Sequence, residues 1–232
     1  MYNYSPCNDF GAFGRVYASF LVDWRFILIA ACFGVALASY FFCWSKRDWF
    51  WLTLGLAFTV AADYFLILHN RHLIGVAVFC FAHVAYILRA ASNKPGGVQR
   101  ILPWLVLLMV APVNIVLSYI LSGRVDATNS LLAATHIISS IYVITALYAA
   151  FFIINIYVSA RHLQRNRTLI VTGLLLFAAC DICVLVMNLP LYFDAPAWLS
   201  QAYPMVWVFY LPSQVLLAVS AVPYMMRPSN HT

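Results

Sequence analysis

At 232 residues, 65% of them hydrophobic and only 9% charged, with a mean hydropathy of +0.89, the chain is too apolar for a soluble domain and reads as an all-α polytopic membrane helix bundle. Its net charge of +6 comes from Lys and Arg that punctuate apolar runs instead of clustering on one face, so membrane topology accounts for it and a nucleic-acid partner is excluded. The six cysteines, at 7, 32, 43, 80, 180 and 183, fall mostly within apolar runs and sketch no disulfide framework.

In chain order, residues 1 to 24 form a partly polar lead-in without the pattern of a cleaved signal peptide, and they are expected to be retained. A bilayer core of about 30 Å takes about 20 apolar residues of helix. Runs of that size lie near 26–44, 49–68, 73–91, 101–121, 131–157, 168–189 and 203–226, which predicts seven spans in a single membrane domain, 1–232. The connections SKRD (45–48), SNKPGG (92–97) and SGRVDATN (122–129) carry turn and helix-stop chemistry. Arg15, Arg25, Arg71 and Arg124 fall on the N-terminal side. Lys46, Arg47, Arg89, Lys94, Arg100, Arg161, Arg165, Arg167 and Arg227 fall on the other, so the C-terminus is expected in the cytoplasm and the N-terminus outside. In a bacterial cell this places the protein in the inner membrane.

All seven acids are aspartates, and only Asp63 and Asp181 lie inside apolar runs, the others being read as loop residues. An aspartate in hydrocarbon costs at least about 2.5 kcal/mol, so it is kept where it faces a polar cavity or a partner. Asp63 and Asp181 lie at similar depths in the second and sixth spans, about 20 Å above the inner boundary at 1.5 Å of rise per residue. Asn114 of the fourth span reaches that depth from the same side; His83 of the third, His136 of the fifth, and Tyr210 with Gln214 of the seventh reach it from the other. His83 with Tyr86, His136 with Ser139 and Tyr210 with Gln214 are spaced to share a helix face. Pro112 and Pro212, two residues from Asn114 and Tyr210, each free a backbone carbonyl that a wet cavity would satisfy. Further out, Arg71, His69 and His72 are candidates for holding a lipid phosphate.

Several chemistries use acids or histidines in membranes. A retinal protein needs a lysine within a span, and Lys46 and Lys94 both fall in loops. Intramembrane aspartyl proteases carry G-x-G-D and Y-D signatures, whereas the strings here are VAADY and AACDI. Cys180 and Cys183 spell C-x-x-C, read as packing within a helix. A zinc set of His83, His136 and an aspartate is acceptable in residue type, yet no close histidine spacing supports it. A proton-coupled transporter using both aspartates as relay groups remains as the alternative, although no internal repeat is visible.

Three stretches resemble the YhhN family of membrane lysoplasmalogenases: ADYFLIL followed by LIGVAVFCFAHVAY (62–86), LLLFAACDICVLVMN (174–188) and YLPSQVLLAVSA (210–221). The family usually has eight spans, its first missing here, and Ala62, Cys180 and the position of Asn188 depart from its pattern. The resemblance implies hydrolysis of the vinyl-ether bond of lysoplasmalogens to a fatty aldehyde and a glycerophospho-amine alcohol. On that reading Asp63 and Asp181 are catalytic, His83, Tyr86, Asn114, His136, Asn188, Tyr210, Gln214 and Arg71 meet the substrate, and no cofactor is needed. The partners are a lysophospholipid substrate and the surrounding membrane lipids.

Overall fold

A chain with this much apolar surface satisfies its backbone within the bilayer by forming helices. The computed structural model describes residues 12–41, 46–69, 71–93, 95–122, 130–162, 167–192, 196 and 203–220. Side chains are described throughout these except at 12–23, 118–122, 130–141, 162 and 188–192. Seven α-helices follow one another: α1 (Ala12–Ala38), α2 (Lys46–Asp63), α3 (His72–Ala91), α4 (Gly97–Ser122), α5 (Ser130–His162), α6 (Arg167–Tyr192) and α7 (Tyr203–Val219). No strand occurs among the described residues. Six of the helices are long and apolar enough to cross a membrane, and α7 is an apolar helix of 17 residues.

The boundaries differ from the hydropathy reading in two places. Helix α1 starts at Ala12, inside what reads as a polar lead-in, because helical propensity carries on where hydropathy falls. Helix α5 has 33 residues, more than a bilayer crossing takes, so depth counted from the start of its apolar run is displaced along the axis.

Helix α3 is the hub: 72% of its apolar window is buried, against 17% for α4. It packs on α2, α4 and α5, while α6 pairs with α7, and α1 lies against α2 and α7. Two glycines allow the closest approaches, as small residues do between membrane helices. A Cβ on Gly55 of α2 would stand 2.4 Å from the Tyr86 ring of α3, and one on Gly75 of α3 would stand 2.4 Å from Leu66 Cγ and 3.2 Å from the Ala62 carbonyl. Conversely Leu102, Trp104, Leu107 and Val110 of α4, and Leu175, Ile182 and Leu185 of α6, face outward as a lipid-contacting surface would.

One end of the bundle is closed by an ion pair that the loop reading of Asp48 does not anticipate. Asp48 lies in the first turn of α2, where the helix dipole favours an acid. Its carboxylate accepts Arg89 Nε at 2.9 Å and Nη2 at 2.8 Å, and Arg89 Nη1 donates to Ser220 Oγ at 2.9 Å. This fork joins α2, α3 and the end of α7.

Candidate active site

Asp63 is the last α-helical residue of α2, 4% exposed. Directly after it the chain widens into a π-turn, Tyr64–Leu68, closed by Arg71 N–H donating to the Phe65 carbonyl at 2.8 Å. Such turns re-aim side chains and recur at functional sites. Gly75 admits the widened backbone against α3. From α7, the Tyr210 hydroxyl donates to Asp63 Oδ2 at 2.5 Å. Asp181, within α6, is held in the same manner: the Tyr148 hydroxyl of α5 donates to its Oδ2 at 2.7 Å. Neither Oδ1 has a hydrogen-bond partner among the described residues.

One aromatic cluster joins the two acid–phenol pairs. Phe177, a helical turn before Asp181, packs 5.4 Å from the Tyr210 ring, 5.6 Å from Phe152 and 5.9 Å from His83. The His83 ring in turn lies 5.1 Å from Tyr148 and 4.7 Å from Phe152. His83 is fully buried. Its Nδ1 is 3.1 Å from Asn155 Nδ2, whose partner atom Oδ1 accepts from Ser159 Oγ at 3.2 Å, and its Nε2 has no partner among the described residues. Buried polar atoms are rarely left so, and two more occur here, Gln214 Oε1 and Trp207 Nε1. Such atoms are met by water or by substrate in a working site.

The other residues read from the sequence are dispersed. Tyr86 lies a turn below Asp63 on the α2 contact, its hydroxyl 3.5 Å from Thr59 Oγ1. Gln214 is buried on α7, donating to Ser213 Oγ at 3.3 Å. Asn114 is exposed and donates to the Val110 carbonyl of its own helix at 2.8 Å, so α4 does not bring it to the aspartates. The side chains of His136 and Asn188 lie outside the described residues; the backbone at 136 is about 18 Å along α5 from Tyr148. Arg71 precedes α3 as an exposed residue, and His69 stacks 4.4 Å from the Tyr64 ring. Cys180 and Cys183 are free thiols, and no three metal-ligating side chains converge among the described residues.

Sequence reading missed the residues that α5 contributes. Tyr148, Phe152, Asn155 and Ser159 recur at steps of four, three and four, one helix face. That stripe of three polar groups stands in YAAFFIINIYVS, but α5 is longer than a bilayer crossing, so depth counted from the start of its apolar run selects His136 instead. The equivalent stripe on α7 is Tyr203, Trp207, Tyr210 and Gln214.

Two carboxyls, each met at one oxygen by a phenol hydroxyl, thus stand beside a shared aromatic cluster. No curated protein and no solved structure matches the chain. The sequence pattern of the YhhN family does, over residues 19–221, which includes every helix that builds the site, and the chain belongs to that family.

Proposed function

We propose that this protein is a membrane hydrolase that cleaves the vinyl-ether bond of lysoplasmalogens, with Asp63 and Asp181 sharing the acid and base work. The observation that carries the reading is the pair of carboxyls, each pinned at Oδ2 by Tyr210 or Tyr148 and unpartnered at Oδ1 among the described residues. Family membership supports it.

Vinyl-ether hydrolysis starts with transfer of a proton from one carboxyl to the β-carbon, which leaves an oxocarbenium ion at the α-carbon. The ionised carboxylate stabilises that cation, as its counterpart does in glycoside cleavage. Water adds to the cation and gives its proton to a carboxylate, and the hemiacetal collapses to a fatty aldehyde and the glycerophospho alcohol. The reaction needs one carboxyl protonated and the other ionised, a division of labour that two acids in one site can take. Phe152, Phe177 and His83 pack between the two acid–phenol pairs and keep that part of the bundle apolar.

Purified protein in detergent, which has no two compartments to transport between, should release aldehyde from lysoplasmalogen. Absence of turnover on any vinyl-ether or ester lysolipid, together with pH-gradient-driven flux in liposomes, would instead establish a proton-coupled transporter. The proposed orientation, N-terminus outside, is checked by cysteine labelling in intact cells: a residue introduced in 92–97 should be protected from an impermeant reagent.

A further inference from the structure

Arg25 has the chemistry of an anion site. Its guanidinium folds onto aromatic rings of another helix. It lies half-buried over α7, 4.5 Å from the Trp207 ring centroid and 5.1 Å from that of Tyr203, and Nη1 donates to the Tyr203 hydroxyl at 2.6 Å. No carboxylate pairs with it among the described residues, whereas Arg89 has Asp48. Beside it, Trp207 Nε1 is a buried donor without an acceptor among the described residues. A cation and an N–H share one aromatic platform, and neither has an anionic partner among the described residues.

The platform leads to the acids. Tyr203, Trp207 and Tyr210 occupy one face of α7, Trp207 packs 5.9 Å from Tyr210, and Tyr210 holds Asp63. Tyr203 and Tyr210 are about 10 Å apart along the axis. In a lysoglycerophospholipid seven covalent bonds separate the phosphorus from the vinyl β-carbon, about 8 Å at the reach per bond of an extended chain.

Resting on the hydrolase reading above, we propose that Arg25 receives the phosphate of a single-chain phospholipid on the Trp207–Tyr203 platform, so that the glycerol backbone runs along α7 and delivers the ether to Asp63 and Asp181. Arg25 is then a specificity determinant: it favours phosphate-bearing ethers over neutral ones, and a guanidinium suits the task because it binds phosphate by two parallel N–H donors while stacked on rings.

The test compares two substrates with the same tail, lysoplasmalogen and its phosphate-free 1-alkenylglycerol, on wild type, R25Q, R25K and R71Q. R25Q should raise KM for the phosphorylated ether by about tenfold, the worth of a charge-assisted hydrogen bond, and leave kcat and the KM for alkenylglycerol within about twofold. R25K, which keeps the charge and loses the fork, should fall between, and it carries the test if R25Q does not fold. An equal KM rise for both ethers, no rise for either, or a rise confined to R71Q would overturn the assignment. Equilibrium binding of a lysophospholipid and of its neutral counterpart, measured without turnover, separates the two readings. If wild type hydrolyses nothing, the hydrolase reading falls. The anion site still stands if R25Q selectively weakens the phosphorylated ligand, and it falls if both ligands bind both proteins alike.

Discussion

Helix α2 carries an aspartate in its first turn and another at its last position, about 22 Å apart, and the bundle treats them oppositely. Asp48 receives a two-pronged arginine, itself tied to Ser220, and its charge is compensated where it stands. Asp63 receives a single phenol, as Asp181 does from another helix. The carboxylate matched by a guanidinium joins helices. A carboxyl met only by a neutral donor at one oxygen has no charge beside it to offset its own, which in hydrocarbon is costly.

The largest effect expected from this contrast is catalytic. Asp63→Asn and Asp181→Asn keep size and the phenol's company but remove the exchangeable proton, and each should lower kcat by at least about a hundredfold, equivalent to about 2.7 kcal/mol. Aldehyde release per folded molecule measures it, with a thermal melt in detergent to confirm folding. Turnover near wild type in either variant would remove that aspartate from the chemistry.

The Asp48 end should respond in stability alone. Arg89→Met breaks the fork and leaves Asp48, partly exposed, without its guanidinium, costing about 2 kcal/mol of stability, while turnover per folded molecule stays unchanged. Adding Asp48→Leu to it should restore most of the loss, since replacing both members of a buried pair by apolar groups is often close to neutral. If the double variant were no more stable than the single one, the pair would not be the source of the effect.

The phenols should have a smaller effect. Tyr210→Phe and Tyr148→Phe leave each carboxyl its aromatic neighbours and remove only the donor at Oδ2. A hydrogen bond to a carboxyl is worth about 1.5 kcal/mol, so each should slow kcat about tenfold. An unchanged rate would mean that the carboxyl is positioned by packing alone.

How much of this could be read from the chain varies with the kind of feature. The helical class, the apolar runs and the two intramembrane aspartates follow from hydropathy and charge, because lipid leaves few ways to satisfy a backbone or an acid. Tyr210 and His83 follow from counting depth along helices of ordinary length. The count fails on α5, whose 33 residues exceed the bilayer, and Tyr148, Asn155 and Ser159 are lost with it. A topology count weighs every arginine alike, yet Arg89 grips an acid and Arg25 stacks on rings, distinctions that depend on which helices become neighbours. The π-turn after Asp63 has no signature in YFLIL.

Asn114 sets the smallest effect and the sharpest check on the depth argument itself. By depth it belongs with the aspartates, but depth places a residue on a level without choosing its azimuth. Helix α4 packs on α3 and α5, and Asn114 points away from both, exposed, with its amide returned to the Val110 carbonyl of its own helix. A polar residue in hydrocarbon that bonds its own backbone has met its needs locally and has no call on the site. Asn114→Leu should therefore leave kcat and KM within about twofold and stability within about 0.5 kcal/mol, the range of a surface change away from special features. A tenfold loss of turnover would show that α4 rotates toward the aspartates when substrate is bound, and would turn the fixed pair of acid–phenol contacts into one state of a moving site.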